Sequence, residues 1–273
     1  MTATPVARAD RGWLELREPL DAQSRSVDLV RHLTGLLPSG SPIRVHDLGS
    51  GTGAMRRWLA PQLSGPQTWV EHDRDVELLN RDRFEGRTLS RDGHPVTVET
   101  RASELEAIVD LEGASLITAS ALLDVLTRDS LQNLTRLIAS SGAPCLLTLS
   151  VDGRVDLQPA DPDDARIQQA FNDHQRRATA IGTLLGPDAA AMAADLLEVQ
   201  GMAVRVAPSP WRLGPACRDL LEAWLDGWIG AASEQDTAAA AASGSYVERR
   251  MAHARAGRLN AVVHHVDLLA WPS

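Results

Sequence analysis

The stretch Val45-His46-Asp47-Leu48-Gly49-Ser50-Gly51-Thr52-Gly53 decides the reading of this 273-residue chain. Ile43 to Leu48 is a short strand that ends on an acid and runs into three glycines in five residues. Ala54 to Leu63 reads as the helix that follows. Alternate glycines let the backbone approach a ligand closely. The helix N-terminus beside them presents free N–H groups and a partial positive charge. A strand, a glycine turn and a helix in this order form a cradle for a ligand.

Working outward, the same alternation continues. Val27 to Leu37 has the spacing of an amphipathic helix, stopped by Pro38-Ser39-Gly40-Ser41-Pro42. Gln67 to His72, Pro95 to Thr100 and Ala114 to Ala119 read as strands two to four, with a helix at Val76 to Asn80. Ser130 to Ser140 is helical in spacing, and Pro144 to Val151 is an apolar fifth strand suited to a sheet covered on both faces. A helix over Pro187 to Gln200 precedes a sixth strand, Met202 to Ala207, and Leu259 to Ala270 is a seventh. The fold class is α/β, with a seven-stranded, mainly parallel sheet, helices on both faces and an antiparallel last strand. Residues 1–26 form a polar leader and a possible lid. Residues 27–273 form one domain with helical insertions near 152–186 and 208–257. The alanine run 238–242 belongs to a helix that Ser243-Gly244-Ser245 interrupts.

The spacing of the glycines selects the ligand. A dinucleotide loop needs G-x-G-x-x-G, but Gly53 comes only two residues after Gly51, and Ala54 stands where the third glycine would be. The run D-x-G-x-G-x-G resembles the first motif of class I S-adenosylmethionine-dependent methyltransferases. The rhythm of seven strands extends that resemblance over most of the chain. It implies the cofactor S-adenosyl-L-methionine, with S-adenosyl-L-homocysteine as product. It also implies contacts to the methionine part from Asp47, Gly49, Ser50, Gly51 and Gly53. Independently, nucleoside-binding sheets place a ribose-binding carboxylate about 20 residues past such a loop. Asp73 fits, with Glu71 as its rival. By the same resemblance, Glu104 stands where an acid meets the adenine amino group, and Ser103 is a substitute for it. The segment Ala119-Ser120-Ala121-Leu122-Leu123-Asp124 resembles the family's fourth motif, which lies near the transferred methyl, and this implies Ser120 as a cofactor-binding residue. The Pro-Pro-aromatic form of that motif, typical of N-methylation of adenine or glutamine, is absent.

Composition removes other classes. All 27 basic residues are arginine, which excludes a lysine Schiff base and a P-loop lysine. Two cysteines cannot build a disulfide framework or a four-cysteine zinc site, and no histidine spacing supports a metal. A net charge of −9 opposes a nucleic-acid partner. No apolar run reaches the roughly 20 residues of a membrane span. Met1-Thr2-Ala3-Thr4-Pro5 lacks the pattern of a signal peptide, so a cytoplasmic location is expected.

The insertions follow strand ends, where ligands bind in open α/β sheets. On a helix, Phe171 and His174 share a face, which makes His174 either a base for the acceptor or a packed histidine. Arg176 and Arg177 offer an anion clamp or a solvated face. Trp211 either stacks on a substrate or plugs the core, and Arg212 is a candidate for a substrate carboxylate. The leading expectation is a methyltransferase acting on a small-molecule oxygen or nitrogen nucleophile by direct displacement. The alternatives are a protein or RNA methyltransferase, a nicotinamide-dependent oxidoreductase, and a cofactor-binding partner without catalysis.

Overall fold

The structure, a computed structural model, describes residues 10–38, 40–80 and 88–273, without the side chains of 237–243. The N-terminal pentapeptide, in which no signal peptide is read, lies outside the described residues. Helix α1 (Arg11–Ser24) begins where Asp10 accepts the Trp13 N–H at 2.9 Å. The leader read from sequence as polar is thus helical. Helix α2 (Val27–Leu36), capped by Ser26, buries Leu29, Val30 and Leu33 on one face.

The sheet then begins with β1 (Ile43–Leu48), α3 (Ala54–Leu59), β2 (Gln67–Asp73), α4 (Val76–Leu79) and β3 (Val96–Ala102). It continues with β4 (Leu116–Ser120), α5 (Arg128–Ser141) and β5 (Cys145–Gln158). The first insertion holds α6 (Asp164–Gln175) and the small hairpin β6 (Ala178–Thr179) with β7 (Gly182–Thr183). Helix α7 (Ala189–Val199) leads to β8 (Met202–Pro208) and β9 (Trp211–Leu213). The second insertion holds α8 (Arg218–Gln235) and α9 (Thr237–Arg255), and the sheet closes with β10 (Asn260–Pro272). Helix α9 runs unbroken through 243–245, so Gly244 does not interrupt it.

The strand order is β3-β2-β1-β4-β5-β10-β8, with β9 paired to β10 beyond the end of β8. Strands β1 to β5 are parallel, and β10 is antiparallel to both neighbours. The expected sheet and antiparallel last strand are present, with β9 added as an eighth strand. Chain order reverses between β1 and β4, which opens a crevice at their carboxyl ends. One face is filled by α5 and α7 around Ile117, Leu134 and Leu197, the other by α2 and α3 around Leu33, Val45 and Leu59.

Strand β5 is longer than its sequence reading. Residues 145–150 are buried throughout, as in a central strand, and then exposure alternates through Leu157. It projects past the sheet with β10, so the first insertion starts after Gln158 and not at 152. On this projecting ribbon the insertions build a third core around Leu221, Trp224, Leu225, Trp228 and Tyr246. Asp267 ties the ribbon to the N-terminal helices. It accepts the Leu149 N–H at 2.8 Å and the Ser26 N–H at 2.7 Å. Leu149 itself lies at φ 57°, a left-handed conformation that a branched residue adopts only when its surroundings impose it.

Candidate active site

The glycine loop lies at the reversal point. Gly49, Gly51 and Gly53 have φ of 66°, 56° and 79°, so each occupies the left-handed region where a side chain is strained. A Cβ on Gly53 would meet Glu71 Oε1 at 2.9 Å, and one on Gly49 would meet Leu122 at 3.1 Å. A Cβ on Gly51 would meet only Leu14 among the described residues, at 3.7 Å.

Asp47 is buried at the end of β1. Its Oδ1 accepts from Thr118 Oγ1 at 2.7 Å, while Oδ2 has no partner among the described residues. Burial raises its pKa to about 7, with Glu71 adding to the rise and Thr118 and Arg25 opposing it. Ser50 Oγ is likewise buried and unpartnered among the described residues.

Asp73, at the end of β2, accepts the Gly51 N–H at 2.7 Å and the Asp75 N–H at 2.8 Å. Each carboxylate oxygen keeps a second lone pair for a hydroxyl donor. Its rival Glu71 is 1% exposed and held by Arg56 at 2.8 Å, a buried pair that leaves it no freedom to meet a ligand. Glu104 is exposed, and its side chain caps nothing. Beside it, Ser103 Oγ is buried without a partner among the described residues, so the polar group turned inward at this position is the serine. Ser120 accepts from Arg25 Nη2 at 3.0 Å and from Thr148 Oγ1 at 3.1 Å.

Arg25 was placed only loosely by the sequence, within the leader. It is 2% exposed, and its Nε and Nη1 lack partners among the described residues. Burial lowers its pKa, and Asp21, Asp267 and Asp47 counteract that. Arg25 and Asp47 therefore feel each other's charge, yet no hydrogen bond joins them. The signal that reveals Arg25 is its place at the joint between two helices, which no local pattern shows.

Helix α1 lies over the loop. Leu14 faces Gly51, and Glu18 grips Arg57 through both carboxylate oxygens at 2.7 and 2.6 Å.

Four substrate-side expectations fall elsewhere. His174 does pack inward, but inward here is toward α8: its Nδ1 is 3.9 Å from Glu234 Oε2. The face of α6 turned to the sheet carries Gln168, Asn172 and Gln175, which bond Val155, Gly153 and Asp124. The role of base does not carry over to His174. Arg176 is committed to Asp188 through two bonds of 2.6 and 2.9 Å. Trp211 is 3% exposed, gives its indole N–H to Asp21 at 3.0 Å and lies under Arg17, so it is a core plug. Arg212 alternates with it on β9 and points to the exposed face.

No known protein family and no curated protein matches the sequence. Solved structures do. The cyclopropane synthase MmaA2 from Mycobacterium tuberculosis is similar, with a TM-score of 0.52 and 15% identity, over 96% of this chain and 94% of that one. The mycolic acid cyclopropane synthase CmaA1, in its apo form, is similar with a TM-score of 0.50 and 12% identity, over 96% and 100%. The chain has the Rossmann-like fold of class I S-adenosylmethionine-dependent methyltransferases. Among the described residues no helix is long and apolar enough to cross a membrane.

Proposed function

We propose that this protein is an S-adenosylmethionine-dependent methyltransferase acting on a small-molecule oxygen or nitrogen nucleophile. The observation that carries the reading is the pair Arg25 and Asp47. A guanidinium and a carboxyl group are buried beside a glycine cradle, each with unpartnered polar atoms among the described residues and no bond between them. Buried groups left unpaired are costly, and a zwitterionic α-amino acid end satisfies both at once. Arg25 would receive its carboxylate and Asp47 its ammonium. Asp73 would hold the ribose hydroxyls and Ser103 the edge of the adenine. Gly51 would leave room for the backbone to approach the ligand.

When bound, S-adenosylmethionine supplies a methyl group on an already electrophilic sulfonium. The protein's task is then orientation and exclusion of water. Helix α1 covers the loop, and α6 packs between β5 and α8. Just past β4, Asp124 accepts from Gln175 of α6 and feels the charge of Arg17 of α1. Polar groups at this end of the sheet suit a protonated oxygen or nitrogen nucleophile.

The test is transfer of labelled methyl from S-adenosylmethionine into separated low-mass and macromolecular fractions of a cell extract. Label is expected in the low-mass fraction. Label confined to protein or RNA would move the reading to a macromolecular acceptor.

A further inference from the structure

Asp124 is half-buried and differs from the buried acids Asp21 and Asp267. Asp21 accepts from Arg17 and Trp211, and Asp267 from two backbone N–H groups. Each of these has a structural task that uses its oxygens fully. Asp124 sits in the 3-10 turn Leu123–Val125, just past the carboxyl end of β4. Among the described residues its single side-chain hydrogen bond comes from Gln175 Nε2, at a long 3.4 Å. It keeps part of its surface open, yet burial raises its pKa to about 6. Arg17 from α1 and Arg177 from the turn after α6 are the charges that act on it, and both oppose the rise. Arg17 gives its Nε to Asp21, and its two Nη groups make no hydrogen bond among the described residues. A carboxylate desolvated to this degree, near two guanidinium groups but in no close ion pair, is poised to take a proton near neutral pH.

We propose that Asp124 is the proton acceptor for the methyl acceptor, which is therefore a hydroxyl or amine that arrives protonated. This rests on the methyl-transfer reading above. The acceptor's heteroatom forms a bond to the methyl carbon as the carbon–sulfur bond breaks. The electron pair of that bond returns to sulfur, and the sulfonium becomes a neutral thioether. The proton on the heteroatom passes to Asp124, whose carboxylate becomes a neutral acid. Charge and atoms balance without a further reactant.

The test compares Asp124→Asn with the wild type in three measurements. The first is thermal melting across pH. The folded-state pKa is raised, so the ionised carboxylate weakens the fold above it. Asp124→Asn should melt above the wild type at neutral pH, and the difference should close as pH falls through about 6. The second is calorimetric titration with S-adenosylhomocysteine, where the affinity should stay within about twofold. The third is methyl transfer into the low-mass extract. It should fall about 10²–10⁴-fold, the usual contribution of a positioned base. The rise of rate with pH should be lost in Asp124→Asn and kept in Asp124→Glu. A variant that melts below the wild type at neutral pH, or fails to fold, would make Asp124 a structural anchor and overturn the proposal. So would transfer at the wild-type rate with an unchanged pH profile. A wild type that binds no S-adenosylhomocysteine, or binds it and labels no acceptor, overturns the methyl-transfer reading and this proposal together.

Discussion

Arg25 and Asp47 are the residues on which the site's electrostatics turn. Asp47 has its pKa raised from 3.8 to about 7, so the folded protein holds a proton there that the unfolded chain has already released. Its contribution to stability is therefore lost as pH rises from about 4 to about 7. An incoming ammonium favours the carboxylate form. Affinity for S-adenosylhomocysteine should thus increase as pH rises through about 7 and become flat in Asp47→Asn; calorimetry at a series of pH values measures this. The two acids of β2 should behave differently. On the proposed reading Asp73→Ala removes an acceptor for ribose hydroxyls, and hydrogen bonds to charged groups contribute about 1.5–3 kcal/mol. Cofactor affinity should drop at least about tenfold, and the melting temperature should fall as well, since the Gly51 and Asp75 N–H groups lose their acceptor. Glu71→Ala leaves Arg56 buried without its carboxylate and should destabilise the protein by about 3–5 kcal/mol in urea titration. A loss of affinity in a stable Glu71→Ala would exchange the two roles.

At the scale of elements, the strand–loop–helix unit was legible because its signals are local. Three glycines in five residues and an acid at the strand end act within one turn of chain. The face of α6 was not legible, because two apolar layers compete for it. Phe171 and His174 do share a face, but that face serves the core shared with Trp228 of α8 and not the sheet. The alternation from Val151 to Leu157 was in the sequence as well, but Asp152 and Gly153 look like a turn and hid a projecting strand. Helix α1 escaped for a third reason. It carries Pro19, and its charged residues are committed to partners far along the chain, Glu18 to Arg57 and Asp21 to Trp211. As the plug between α1 and the ribbon, Trp211→Ala should lower stability by about 3–5 kcal/mol in urea titration, as removal of a buried aromatic does. His174→Ala should leave methyl transfer within about twofold of wild type. A collapse of turnover with cofactor affinity intact would return His174 to the reaction.

For the whole molecule, the order of the strands places everything that matters at one end of the sheet. β1 and β4 diverge in chain order, their carboxyl ends meet the glycine loop and Ser120, and the two insertions and α1 close over that end. The same sheet would equally hold a dinucleotide if its loop had the other glycine spacing, so fold alone does not choose the ligand. On the proposed reading the loop does, and Gly51 is its most exacting position. At φ 56° an alanine there costs about 1–2 kcal/mol of backbone strain but meets no protein atom closer than 3.7 Å. The central claim is therefore tested most directly by calorimetric titration of the wild type and Gly51→Ala with S-adenosylhomocysteine and, separately, with NAD. The account predicts that the folded wild type binds S-adenosylhomocysteine and not NAD, and that the folded variant binds neither. Binding of NAD alone, or undiminished binding of S-adenosylhomocysteine by Gly51→Ala, would contradict it.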